Sequence, residues 1–64
     1  MNYSKMIKKL RERLIMTQQE FAEYVGASYI SVNRLENGKC KPTIKMRRQL
    51  AELFKKENIE EIYE

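Results

Sequence analysis

A chain of 64 residues makes one domain; so short a chain buries only about 60% of the surface its unfolded form exposes, which leaves no room for a deep catalytic cleft. A hydrophobic share of 42% is too high for a disordered tail, and no apolar run approaches the roughly 18 residues of a membrane span. The net charge of +4 hides an asymmetry: residues 1–56 hold 13 basic and 5 acidic residues, a net of +8, while Glu57 to Glu64 holds four Glu and no base.

The first helical segment opens at Ser4 and is predicted over about 4–14. Tyr3, Ile7, Leu10 and Leu14 fall at helical spacing and make one apolar stripe, with Lys5, Lys8, Lys9, Arg11, Glu12 and Arg13 on the other faces. Thr17-Gln18-Gln19-Glu20 reads as a capping box that starts a second helix over about 17–25. Phe21, Ala22 and Val25 form its inner face, and Gly26 supplies the left-handed residue that commonly ends a helix. Ser28 caps a third helix, about 28–36, with Val32 and Leu35 inward and Asn37-Gly38 as the stop. Lys39-Cys40-Lys41-Pro42 is a loop, since the proline disfavours helix before it. Thr43 caps a fourth helix, about 43–55, in which Ile44, Leu50, Ala51, Leu53 and Phe54 are available for burial. Residues 57–64 are expected as a short fifth helix or a tail, with Asn58 as cap and Ile59, Ile62 and Tyr63 as its apolar residues. Strand signals are absent, so the expected fold is an all-α bundle of four or five short helices in a single domain over 1–64.

The second and third helices are short, capped and joined by a brief turn that opens with glycine. That is the helix-turn-helix arrangement, here about residues 17–37. Ala22 is small where the two helices cross, and Val32 and Leu35 lock the third helix to the core. Tyr29, Ile30, Asn33 and Arg34 then point outward. Their groups suit base edges in a major groove, isoleucine a thymine methyl, asparagine adenine and arginine guanine; asparagine and arginine equally suit phosphate, and Tyr29 suits the sugar-phosphate backbone. Gln18 sits at the start of the second helix, where free amides and the helix dipole favour an anion, and its amide is placed to bond a phosphate and to buttress the third helix. Ser28 is chiefly a cap that also lies within reach of phosphate, and Ser31 is a small neighbour of the same kind. Each of these residues also has a plain reading as helix surface.

The stretch from Met16 to Lys39, followed by Lys41-Pro42, closely resembles the Cro/phage-repressor-type helix-turn-helix family, also called XRE-type. The features that carry the resemblance are Thr17-Gln18, Glu20, Ala22, Gly26, Ser28, Val32, Leu35-Glu36, Asn37-Gly38-Lys39 and Pro42, with Arg11 on the first helix. The resemblance covers about residues 5–54. It implies a third helix that reads bases, and phosphate contacts from Gln18, Asn37, Lys39 and Lys41. It also implies an ion pair between Arg11 and Glu36 that ties the first helix to the end of the third, a structural role. The chain departs from the family at Arg47 and Arg48, where apolar residues are more usual, so these two arginines are expected to thin the core or extend the basic surface.

Other chemistry finds no footing. There is no His or Asp, a single Cys40 builds neither a disulfide nor a zinc site, and there is no Gly-rich phosphate loop. No catalytic residue, metal or cofactor is expected, nor is an effector pocket. The N-terminus lacks a signal-peptide stretch, which with the lone cysteine suggests a cytoplasmic, bacterial or phage-like setting. The expected function is sequence-specific binding of double-stranded DNA by a transcriptional regulator that uses the helix at about 28–37. A repressor is preferred to an activator, because an isolated domain has little surface for recruiting polymerase. The resemblance implies a homodimer on a palindromic site; Ile59, Ile62 and Tyr63 are candidates for a C-terminal dimer surface or else close the core. Two other readings stay open: an antitoxin-like protein-interaction module, and the DNA-targeting module of a restriction-modification or other DNA-modifying system.

Overall fold

Helix starts in this chain are set by side chains that accept a hydrogen bond from a backbone amide three residues on. A computed structural model describes residues 2–62 and shows four helices of this kind: α1 (Tyr3–Arg13), α2 (Gln18–Val25), α3 (Tyr29–Glu36) and α4 (Ile44–Lys56). Thr17, Ser28 and Thr43 cap α2, α3 and α4 as expected, and the Thr17–Glu20 capping box is complete in both directions. For α1 the cap is Asn2 rather than Ser4. The Asn2 Oδ1 accepts from the Lys5 amide and from the Ser4 hydroxyl, so the helix begins one residue early. No strand occurs among the described residues.

Gly26 ends α2 at φ 73°, the left-handed region where a side chain is strained. Its amide bonds back to the Glu23 carbonyl, and the Ala27 amide to that of Ala22, so the turn into α3 satisfies the end of α2. The connection from α1 to α2 is less orthodox. Ile15 sits at φ 55° and is 90% exposed, a β-branched residue in a conformation it disfavours and with nothing packed on it.

The core draws on every helix. Met6, Ile7 and Leu10 from α1 meet Phe21, Ala22 and Val25 from α2, Val32 and Leu35 from α3, and Leu50 and Phe54 from α4, with Ile59 closing it from beyond α4. Both α1 and α2 pack against α3, and α4 packs against α1. Two features of this core differ from the sequence expectation. Met6 is fully buried while Tyr3 and Leu14 are only partly so, because the buried stripe of α1 runs through residues 6, 7 and 10. Ile44 and Ala51 are exposed. The inward face of α4 is Met46, Leu50, Leu53 and Phe54, spaced by four, three and one residues, and Ile44 lies across the helix from it.

Residues 57–62 form no helix. After a left-handed turn at Asn58, φ 55°, the Ile59 amide donates to the Phe54 carbonyl at 2.8 Å, and the Asn2 amide donates to the Ile62 carbonyl. The segment returns to the start of α1 and buries Ile59. Of the two roles open to Ile59 on sequence grounds, dimer surface or closing the core, the structure gives it the second. Ile62 is partly buried against the same core, and Tyr63 and Glu64 lie outside the described residues.

Candidate nucleic-acid interface

The α2–turn–α3 unit decides which side chains face out. Val32 and Leu35 hold the inner side of α3 against the core, and the opposite side presents Tyr29, Ile30 and Arg34 to solvent. Tyr29 is 47% and Ile30 67% exposed, a pair at the leading end of the helix that stays open to solvent. Arg34 is exposed, and its side chain makes no hydrogen bond or ion pair among the described residues. These three keep the outward placement expected from helical phase.

The two serines are partly committed. Ser28 Oγ accepts from the Ser31 amide at 3.1 Å and donates to Ser31 Oγ at 2.9 Å. Both hydroxyls remain exposed at the first turn of α3. Asn37, Lys39 and Lys41 are exposed beyond the end of α3, and the Lys39 amide bonds back to the Arg34 carbonyl at 2.9 Å, which fixes the start of that loop. Pro42, next in the chain, is buried and anchors the loop from its other side.

Between α1, α2 and α3 runs a chain of polar side chains. Arg11 donates through Nε to Glu36 Oε2 at 2.7 Å and through Nη2 to Glu36 Oε1 at 3.1 Å, and its Nη1 bonds the Met16 carbonyl at 3.0 Å. The ion pair expected between these residues is therefore present and two-pronged. Hydrogen bonding to Glu36 raises the Arg11 pKa above the ordinary arginine value, with burial opposing it weakly enough that the net shift is upward. Gln18 Nε2 donates to Glu36 Oε1 at 3.2 Å, Asn33 Nδ2 donates to Gln18 Oε1 at 3.2 Å, and Asn37 Nδ2 donates to Asn33 Oδ1 at 3.1 Å. The buttressing of α3 by Gln18 that the sequence suggests is made through Asn33, and the onward link from Asn33 to Asn37 was not expected. The four-residue step from Asn33 to Asn37 was the one available signal, since residues so spaced are neighbours on a helix.

Arg47 and Arg48 are both exposed, and the Arg47 guanidinium lies 5.8 Å from the centre of the Tyr3 ring, a cation–π distance. These arginines leave the core intact, because neither falls on the inward face of α4, and they enlarge the basic surface. No helix is long and apolar enough to cross a membrane, and no cluster of potential metal ligands occurs among the described residues.

A family model described as helix-turn-helix matches residues 7–62. Two proteins, each named as an uncharacterized HTH-type transcriptional regulator, are similar to the chain. One, from Methanothermobacter thermautotrophicus, is 33% identical over 58 residues, covering 91% of this chain and 84% of the relative. The other, from Archaeoglobus fulgidus, is 37% identical over 57 residues, covering 89% and 79%. No solved structure matches.

Proposed function

The chain belongs to the Cro/phage-repressor-type (XRE-type) helix-turn-helix family, and on that premise we propose that it is a sequence-specific double-stranded DNA-binding regulator that lays α3 in the major groove. The observation that carries this reading is the outward face of α3. Tyr29, Ile30 and Arg34 stand exposed on a helix whose other side is locked into the core, the arrangement a recognition helix needs to bring side chains to base edges. Arg34 reads guanine through its two-pronged donor set, and Ile30 contacts a thymine methyl. Ser28, Ser31, Asn37, Lys39 and Lys41 meet phosphates around that helix and set its register without choosing sequence.

The regulator acts as a repressor, by occupying DNA, and binds as a symmetric pair on a palindrome with half-sites about one helical turn, ~34 Å, apart. Selection from random duplex DNA tests the whole reading. The expected product is a short palindromic site with both A·T and G·C positions, bound with an affinity that falls linearly with salt on logarithmic axes. Affinity that stays flat against salt on every duplex overturns it.

A further inference from the structure

The chain of amides across the α2–α3 seam has a direction, and Glu36 sets it. An ionised carboxylate only accepts hydrogen bonds, and Glu36 Oε1 takes Gln18 Nε2 at 3.2 Å beside the two prongs of Arg11. The Gln18 amide must therefore turn its nitrogen toward Glu36 and its carbonyl toward α3. That carbonyl can be met only by a donor, which Asn33 supplies through Nδ2 at 3.2 Å. Asn33 is then left with its own carbonyl, which Asn37 Nδ2 fills at 3.1 Å. Each of the three assignments follows from the one before it. The side-chain carbonyls of Gln18 and Asn33 each accept one hydrogen bond within the protein, and every amide nitrogen in the chain retains a second N–H.

We infer that Asn33 is a positioning residue that holds the Gln18 amide with its spare N–H ready for a DNA phosphate, and that it does not read a base. The inference rests on the DNA-binding reading above. A bidentate contact to adenine uses both the carbonyl and the nitrogen of an asparagine, and in Asn33 both already hold a partner within the protein, Asn37 and Gln18, which together fix the amide in another orientation. A row of spare donors matches phosphate oxygens, which only accept. Sequence choice is left to Tyr29, Ile30 and Arg34, and Asn33 acts on affinity through its neighbour.

The test is a cycle of four proteins: wild type, Gln18→Ala, Asn33→Ala and the double variant. Each is titrated with a duplex carrying the selected site and with a shuffled duplex of the same composition. Asn33→Ala should weaken binding to both duplexes by roughly tenfold, the loss of one hydrogen bond to a charged group, with the ratio between them unchanged. The double variant should bind about as well as Gln18→Ala alone, because residues acting through one contact do not add. A loss confined to the selected site overturns the inference and makes Asn33 a base reader. Losses that multiply, or no loss at all, overturn it as well. Absence of salt-dependent binding by the wild type brings down the DNA reading itself and is distinguishable from these results. A thermal melt of each variant confirms that it is folded. Should Asn33→Ala melt below the assay temperature, Asn33→Ser, too short to reach Gln18, measures the same quantity.

Discussion

Arg11 and Glu36, 25 residues apart in sequence, meet at 2.7 Å and join the last turn of α1 to the end of α3. The pair is lopsided: the Glu36 side chain is 4% exposed and that of Arg11 18%. Removing the arginine strands a carboxylate that water scarcely reaches, with only Gln18 left to donate to its side chain. Removing the glutamate leaves a guanidinium that still bonds the Met16 carbonyl at 3.0 Å and touches solvent. Arg11→Ala is therefore expected to cost about 3 kcal/mol, the low end for breaking a buried pair, and Glu36→Ala measurably less. Urea denaturation of the two variants checks the order, and equal losses would show that the burial difference carries no energy.

Ile15 offers a gain in stability. A β-branched residue at φ 55° costs about 1–2 kcal/mol relative to one that tolerates the left-handed region, and at 90% exposure Ile15 recovers nothing by packing. Asparagine adopts this conformation readily. Ile15→Asn should stabilise the fold by about 1 kcal/mol and raise Tm by roughly 4–8 °C, as expected for a domain of this size. The converse holds at Gly26. A Cβ there meets nothing within 4 Å, so Gly26→Ala should cost about 1 kcal/mol of backbone strain with no added clash. A Tm that falls in Ile15→Asn would show that the isoleucine makes a contact that outweighs its strain.

Ile59 separates a core role from an interface role. It is 7% exposed within one chain, held by its amide bond to Phe54. Truncation of a buried isoleucine costs about 2–5 kcal/mol, a large fraction of what a domain this small has to spare. Ile59→Ala should lower Tm sharply, and the mass of the remaining folded protein in sedimentation should match that of the wild type. A variant of unchanged Tm and altered mass would return Ile59 to the dimer surface.

What the sequence made legible follows from the range of the interactions involved. Three of the four caps were readable because a cap is a contact across three residues, and the turn at Gly26 because a left-handed residue there demands glycine. The inner faces of α2 and α3 were readable because each short helix has one apolar side. At α4 the excess of apolar residues hid the phase, and only packing shows that Ile44 and Ala51 face out while Met46 faces in. Ile15 ran against propensity, so no local rule could place it in a left-handed turn. Asn33 was read as outward from helical phase alone. Its engagement depends on Gln18 and Glu36, which another helix and the end of its own bring to it.

Arg34 and Lys39 should part company in their salt and sequence behaviour. Arg34 is exposed on the outward face of α3 with no side-chain partner among the described residues, and Lys39 is exposed three residues beyond the helix, in a loop pinned by its own amide bond to the Arg34 carbonyl. If α3 enters the groove, the guanidinium reaches base edges and the ammonium reaches only the backbone. Arg34→Ala should cost about 1–3 kcal/mol on the selected site and relax the preference at a single position. Lys39→Ala should weaken every duplex alike and reduce the slope of log K against log salt by about one. Titrations of both variants against single-base substitutions of the site, at several salt concentrations, measure the two effects together. If Arg34→Ala lowers the salt slope and leaves the preference untouched, the arginine is a phosphate contact, and the choice of sequence passes to Tyr29 and Ile30 alone.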